Sequence, residues 1–131
     1  MVLVDTSVLI DYLAGNKNEK TKKFDEILNL NIPFGINFYI YQELLQGART
    51  EKDFNLLKKY LDTQRFFNLK KGKESYAEAA KIYFYCKKKG LNISGTIDCI
   101  IVQICIENNL YLLHNDRDFE MISGVVKINF Y

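Results

Sequence analysis

The sequence has three cysteines, one histidine, a formal net charge of only +2 and no long apolar run, and each scarcity removes a class of explanation. Cys86, Cys99 and Cys105 are odd in number and form no C-x-x-C pair, so neither a disulfide framework nor a zinc site is indicated. Cys99 and Cys105 sit in an apolar stretch and read as small core residues. His114 is the lone histidine, and no serine or cysteine nucleophile can be placed beside it, which argues against a hydrolytic triad. The small net charge gives no bulk electrostatic case for nucleic acid. The lysines do cluster, at Lys20, Lys22 and Lys23, at Lys70, Lys71 and Lys73, and at Lys87, Lys88 and Lys89, but such clusters are more often solvated faces than phosphate tracks. No apolar segment approaches the length needed to span a membrane. The N-terminal apolar run is broken by Asp5 and lacks a basic leader, so no signal peptide is read and a cytoplasmic location is expected.

What is present is an ordinary globular composition, 48% hydrophobic and 26% charged over 131 residues, enough for one domain with a real core. The apolar run Val2-Leu-Val4 suits a strand buried on both faces of a parallel sheet. Asp5 ends it, and Thr6 or Ser7 offers an N-cap for a helix continued by Val8, Leu9, Tyr12 and Leu13. Beyond a turn at 15–18, residues 19–30 read as an amphipathic helix with Phe24, Ile27 and Leu28 inward. Asn31 and Pro33 break it, and 33–36 reads as a short strand. Asn37 caps a helix over 38–48, and 51–61 repeats the helical pattern through Phe54, Leu57 and Leu61. A strand at 65–69 precedes a helix over 73–89, with Tyr76, Ala80, Tyr83 and Phe84 inward and Gly90 at its end. Ser94 or Thr96 opens a helix to about Asn108 that has almost no polar face and is therefore buried and central. A strand at 110–113, a short helix within 115–121 and a last strand at 125–130 complete the pattern. Strands alternate with helices, with no linker and no repeat, so one α/β domain over 1–131 with a mainly parallel sheet is expected.

Four carboxylates fall at telling places. Asp5 lies where a buried strand hands over to a helix, the edge of an open α/β sheet where ligands sit. Asp98 interrupts the apolar run Ile97 to Val102, where a lone carboxylate is costly unless it is paired, protonated or facing a cleft. Its place in the first helical turn offers a plain alternative, stabilisation by the helix dipole. Asp116 follows one strand as Asp5 follows another, although Asn115 or Asp116 could simply cap the next helix, and Asp118 competes for any role given to Asp116. Glu43, in mid-helix, carries little signal alone. Carboxylates meeting at one sheet edge cannot all stay ionised without a cation, and hard oxygen ligands select Mg²⁺ or Mn²⁺ over zinc. Such a site fits metal-assisted attack of water on a phosphodiester.

Asp5-Thr-Ser-Val-Leu-Ile-Asp11, Glu43-Leu-Leu-Gln-Gly47, Thr96-Ile-Asp98 and Asn115-Asp-Arg-Asp-Phe119 resemble, in order and spacing, the motifs of PIN-domain ribonucleases, and among them the VapC-type toxins of toxin–antitoxin systems. The likeness covers nearly the whole chain. It implies a three-layer α/β/α fold, a Mg²⁺- or Mn²⁺-dependent endoribonuclease acting on RNA, a homodimer, and inhibition by a cognate antitoxin. By position, Asp5, Glu43, Asp98 and Asp116 would form the acidic metal site, Asp5, Asp98 and Asp116 directly and Glu43 directly or through water. Ser7 corresponds to the small polar residue that supports the first carboxylate, with Asp118 and His114 as neighbours. Family members often carry Thr two residues before the last acid, where this chain has His114. Arg49 and Arg117 are the basic residues best placed beside the cleft to grip substrate, although Arg117, between two acids, could serve as a local ion-pair partner. Two other readings compete. A receiver-like phosphoacceptor domain would need paired acids after the first strand, which are missing. A catalytically silent PIN-like RNA- or protein-binding module would have lost the acids, and all four positions are filled.

Overall fold

The computed structural model describes residues 1–131. Five parallel strands make the sheet: β1 (Val2–Val4), β2 (Phe34–Ile36), β3 (Arg65–Phe66), β4 (Tyr111–Leu113) and β5 (Asn129–Phe130), in the order β3-β2-β1-β4-β5. The helices are α1 (Thr6–Leu13), α2 (Glu19–Asn29), α3 (Phe38–Gln46), α4 (Glu51–Leu61), α5 (Lys73–Lys88), α6 (Thr96–Asn108) and α7 (Arg117–Ile122). α1 packs on α2 and α3, and α3 on α4, while α5, α6 and α7 pack on one another. Right-handed crossovers account for this split. The chain moves outward from β1 to β3 with α1–α4 on one face, then returns past β1 to β4 and β5 with α5–α7 on the other. The result is the expected α/β/α sandwich, and β1, covered on both sides, is buried along its whole length.

The order of strands reverses between β1 and β4, where Val4 pairs with Leu113. Ligands bind at such a switch point, beyond the carboxyl ends of the strands. On the other side of β1, Gly35 brings β2 close to its neighbour, because a Cβ there would strike the Arg65 carbonyl oxygen and the Phe67 ring. Asn31 ends the α2 region in the left-handed conformation with φ 55°, which asparagine tolerates better than most residues.

Most elements fall where the sequence puts them, but three expectations need correction. The inward face of α5 is Ser75, Ala79, Ile82 and Cys86. Tyr76, Tyr83 and Phe84 are exposed, and Ala80 with them. On α4, Leu61 is buried but Phe54 is exposed. The strands expected at 65–69 and 125–130 shrink to two residues each. The expectation for α6 holds: every residue from Cys99 to Cys105 is buried, so it forms the spine of its layer.

Candidate metal centre

β1 stops at Asp5. Its backbone N–H donates to the Leu113 carbonyl at 2.9 Å, continuing the sheet by one bond. Its side chain turns back as the N-cap of α1, Oδ2 accepting from the Ser7 amide at 3.1 Å and the Ser7 hydroxyl at 2.6 Å. The cap is therefore Asp5 itself and not Thr6 or Ser7, because only the preceding residue has the extended backbone that lets a side chain reach the first free N–H groups. The Ser7 hydroxyl also accepts from the Asn115 amide at 2.9 Å, so one serine ties the end of β1 to the end of β4. Burial pushes the Asp5 carboxyl up, the two bonds from Ser7 oppose that, and the charge of Asp116 adds to the rise.

β4 delivers His114, Asn115 and Asp116 alongside. Asp116 caps α7, its Oδ1 accepting from the Asp118 amide at 2.9 Å. The Asp116 amide donates to Nδ1 of His114 at 3.1 Å, which puts the proton of the neutral ring on Nε2. The ring is buried beside Phe119 and Phe130, with centroids 5.0 and 4.8 Å away. Burial, then the Lys20 charge, holds the His114 pKa below its usual value, so the ring is neutral at neutral pH.

α6 brings the third acid. It begins at Gly95 without a side-chain cap, and Asp98 is the acid of its first turn. Burial first, and then Asp116, Asp5 and Asp118, push the Asp98 pKa from 3.8 to about 7. Ser94, expected as a helix opener, binds Asp118 instead: its amide donates to Oδ2 at 2.9 Å and its hydroxyl donates to the same oxygen. Those bonds hold Asp118 below the usual carboxylate range. Nothing local in the sequence marks Ser94, since its partner lies in another element.

One carboxylate oxygen each from Asp98, Asp116 and Asp118 lie within 4.8 Å of one another. Asp5 and Glu43 border this trio electrostatically. Asp5 raises Asp98, and loss of water followed by the Asp5 charge raises Glu43, whose residue is otherwise exposed. Arg117 lines a polar pocket beside Asp116, whereas Arg49 lines an apolar groove between α1, α3 and α4. The thiols of Cys99 and Cys105 are pushed to about 11 and about 12 by burial, so neither is a nucleophile. The donor set is hard oxygen, negatively charged and crowded, which suits a Mg²⁺- or Mn²⁺-like cation.

Known proteins share this arrangement of elements. The chain is 22% identical over 129 residues to a VapC ribonuclease of Mycobacterium bovis and to ribonuclease VapC11 of Mycobacterium tuberculosis, covering 98% of this chain and 96% of each relative. Its fold is similar to that in the crystal structure of VapBC2 from Rickettsia felis bound to a promoter DNA fragment, with TM-score 0.75 and 15% identity over 100% of this chain and 98% of that one. It is also similar to DNA-bound VapBC from Salmonella typhimurium, with TM-score 0.74 and 21% identity over 99% and 96% of the two chains. A family model for the PIN domain matches residues 2–125, a span that takes in β1, the switch point and each of the acids above, and the chain accordingly belongs to the PIN domain family.

Proposed function

We propose that the protein is a metal-dependent endoribonuclease and the toxin of a toxin–antitoxin pair. The observation that carries this reading is the convergence of the Asp98, Asp116 and Asp118 carboxylates within 4.8 Å at the topological switch point, with the Asp98 pKa raised to about 7. The ribonuclease names of the relatives and the toxin–antitoxin complexes among similar folds support it. Asp98, Asp116 and Asp118 would hold Mg²⁺ or Mn²⁺, with Asp5 and Glu43 adding negative charge from the flanks. A bound divalent ion supplies Lewis acidity toward a phosphodiester and the water that attacks it. The chain's own contribution is placement. Ser7 fixes the Asp5 carboxylate, Ser94 fixes that of Asp118, and the uncapped first turn of α6 presents Asp98.

An antitoxin partner is supported by an apolar groove of about 780 Å³ between α1, α3 and α4, where Ile10, Leu13, Leu56 and Tyr60 are all exposed. A homodimer is supported by the exposed aromatics of α5, Tyr76, Tyr83, Phe84 and Tyr85. No helix is long and apolar enough to cross a membrane.

The test is cleavage of single-stranded and looped RNA with Mg²⁺ or Mn²⁺ by the parent, Asp5→Asn and Asp98→Asn. The parent should cut and both variants should not, while their circular dichroism stays that of the parent. Full cleavage in excess chelator, or by both variants, would end this reading.

A further inference from the structure

Beside Asp116 lies a pocket of about 570 Å³ whose lining includes neither Asp98 nor Asp118 and not a single hydrophobic residue. We propose that it is a second phosphate subsite, holding an RNA phosphodiester adjacent to the one at the carboxylates; the proposal rests on the ribonuclease reading. Two cations face it, Lys20 from the first turn of α2 and Arg117 at the start of α7. Neither side chain takes part in an ion pair: the protein's charged contacts are Lys58–Asp62, Lys71–Glu78 and His114–Glu120. A cation in the first turn of a helix is disfavoured by the dipole, so Lys20 sits where helix stability argues against it and where an incoming anion would be met.

His114 supplies the independent observation. It lines the same pocket, is 3% exposed, and its Nε2 has no hydrogen-bond partner. The Glu120 carboxylate is 3.3 Å from Nε2, but the N–H does not point along that line, so the contact is not a hydrogen bond. Because Nδ1 is occupied by the Asp116 amide, Nε2–H is a donor left free in a buried wall, and such donors are rare in folded proteins. Two cations outside any ion pair and a free N–H, in a lining without Phe, Tyr or an aliphatic side chain, match a phosphate better than a nucleobase. Two carboxylates share the lining, Asp116 and Glu120; Asp116 belongs to the trio that would hold the metal, which leaves Glu120 as the pocket's own. It repels the phosphate and must turn outward on binding, and its side chain is 59% exposed.

Binding of a short fluorescein-labelled single-stranded RNA to the chelator-treated full chain, followed by anisotropy over a range of salt, tests this without cleavage. Lys20→Ala and Arg117→Ala should each weaken binding and reduce the slope of log K against log salt by about 0.7, the value for one phosphate contact on a single strand. Lys22→Ala, two residues along α2 and exposed, should change the slope little. Glu120→Gln should tighten binding about threefold, as one repulsive charge leaves. Melting curves verify that each variant is folded. A Lys20→Ala slope equal to that of Lys22→Ala, or a Glu120→Gln variant that binds no tighter, would overturn the subsite even if the parent cuts RNA. A parent that neither binds nor cuts RNA would remove the ribonuclease reading and the subsite together.

Discussion

Replacing Asp98 by Asn should make the metal-free protein more stable at alkaline pH. Asp98 has its pKa raised from 3.8 to about 7, by burial first and then by the charges of Asp116, Asp5 and Asp118. Its folded-state value thus exceeds its unfolded one. Protonation favours the fold below about 4, the advantage erodes as pH climbs, and above about 7 the full penalty of an ionised Asp98 is present. At about 1.36 kcal/mol per pH unit, the penalty would approach about 4 kcal/mol in a dry site. Solvent reaches this half-buried carboxylate, and screening reduces the figure to roughly 1–2 kcal/mol. Against it stands the dipole contribution of the acid in the first turn of α6, about 0.3–1 kcal/mol. Thermal melts in chelator at pH 5 and pH 8 (about two units below and one above the folded value) should therefore show the parent losing stability between the two and Asp98→Asn losing much less. At pH 8 the variant should melt a few degrees higher, since about 1 kcal/mol moves the midpoint of a domain this size by roughly 3–5 °C. Mg²⁺ or Mn²⁺ at a hundredfold excess over its dissociation constant should stabilise the parent by about 2.7 kcal/mol and the variant far less. A variant less stable than the parent at pH 8, with an equal response to metal, would refute the reasoning and leave Asp98 as a helix-dipole residue.

Two further outcomes are expected. Ser7→Ala removes the hydroxyl bond, the larger of the two that hold Asp5 down, keeps the amide bond, and leaves the Asn115 amide to water, so the acid limb of the cleavage pH profile should move upward and stability should fall by about 1 kcal/mol; an unmoved limb would show that the Ser7 hydroxyl does not govern Asp5. Gly35→Ala should destabilise the protein by about 1–3 kcal/mol in denaturant melts, because the new methyl meets backbone at Arg65 and overpacking there cannot be relieved by a side-chain rotation; a neutral result would mean that β2 and β3 can part without cost.

The candidate site was largely legible because its acids occupy positions defined by local pattern. Asp5 ends a three-residue apolar run, Asp116 follows another, and Asp98 interrupts a helix with almost no polar face. Their convergence follows from a parallel sheet with a switch point, which alternation of elements already implied. Less legible were the features set by partners distant in sequence. Asp118, expected as a supporting residue, joins the trio because α7 turns it inward. Ser94 answers Asp118 across 24 residues, and Lys20 reaches the His114 pocket from a different layer of helices. The α5 register is ambiguous in the sequence for another reason. Tyr76, Ala79, Ala80, Ile82, Tyr83, Phe84 and Cys86 spread apolar side chains around the whole helix, so periodicity alone does not select a face, and the small residues Ser75 and Ala79 win the inward one through close packing on α6.

The pairing of β1 with β4 has a consequence for the life of the chain before it is folded. The serine that clasps the two strand ends bonds an amide 108 residues further along, and the acids of the trio all come from the last third of the sequence. Contacts of such sequence separation form late, after local helices and after the loop-closure entropy of most of the chain has been overcome. On a translating ribosome, β1 and its Asp5 emerge well before β4, so a chain made only as far as α5 carries helices and an apolar strand but no assembled cluster of carboxylates.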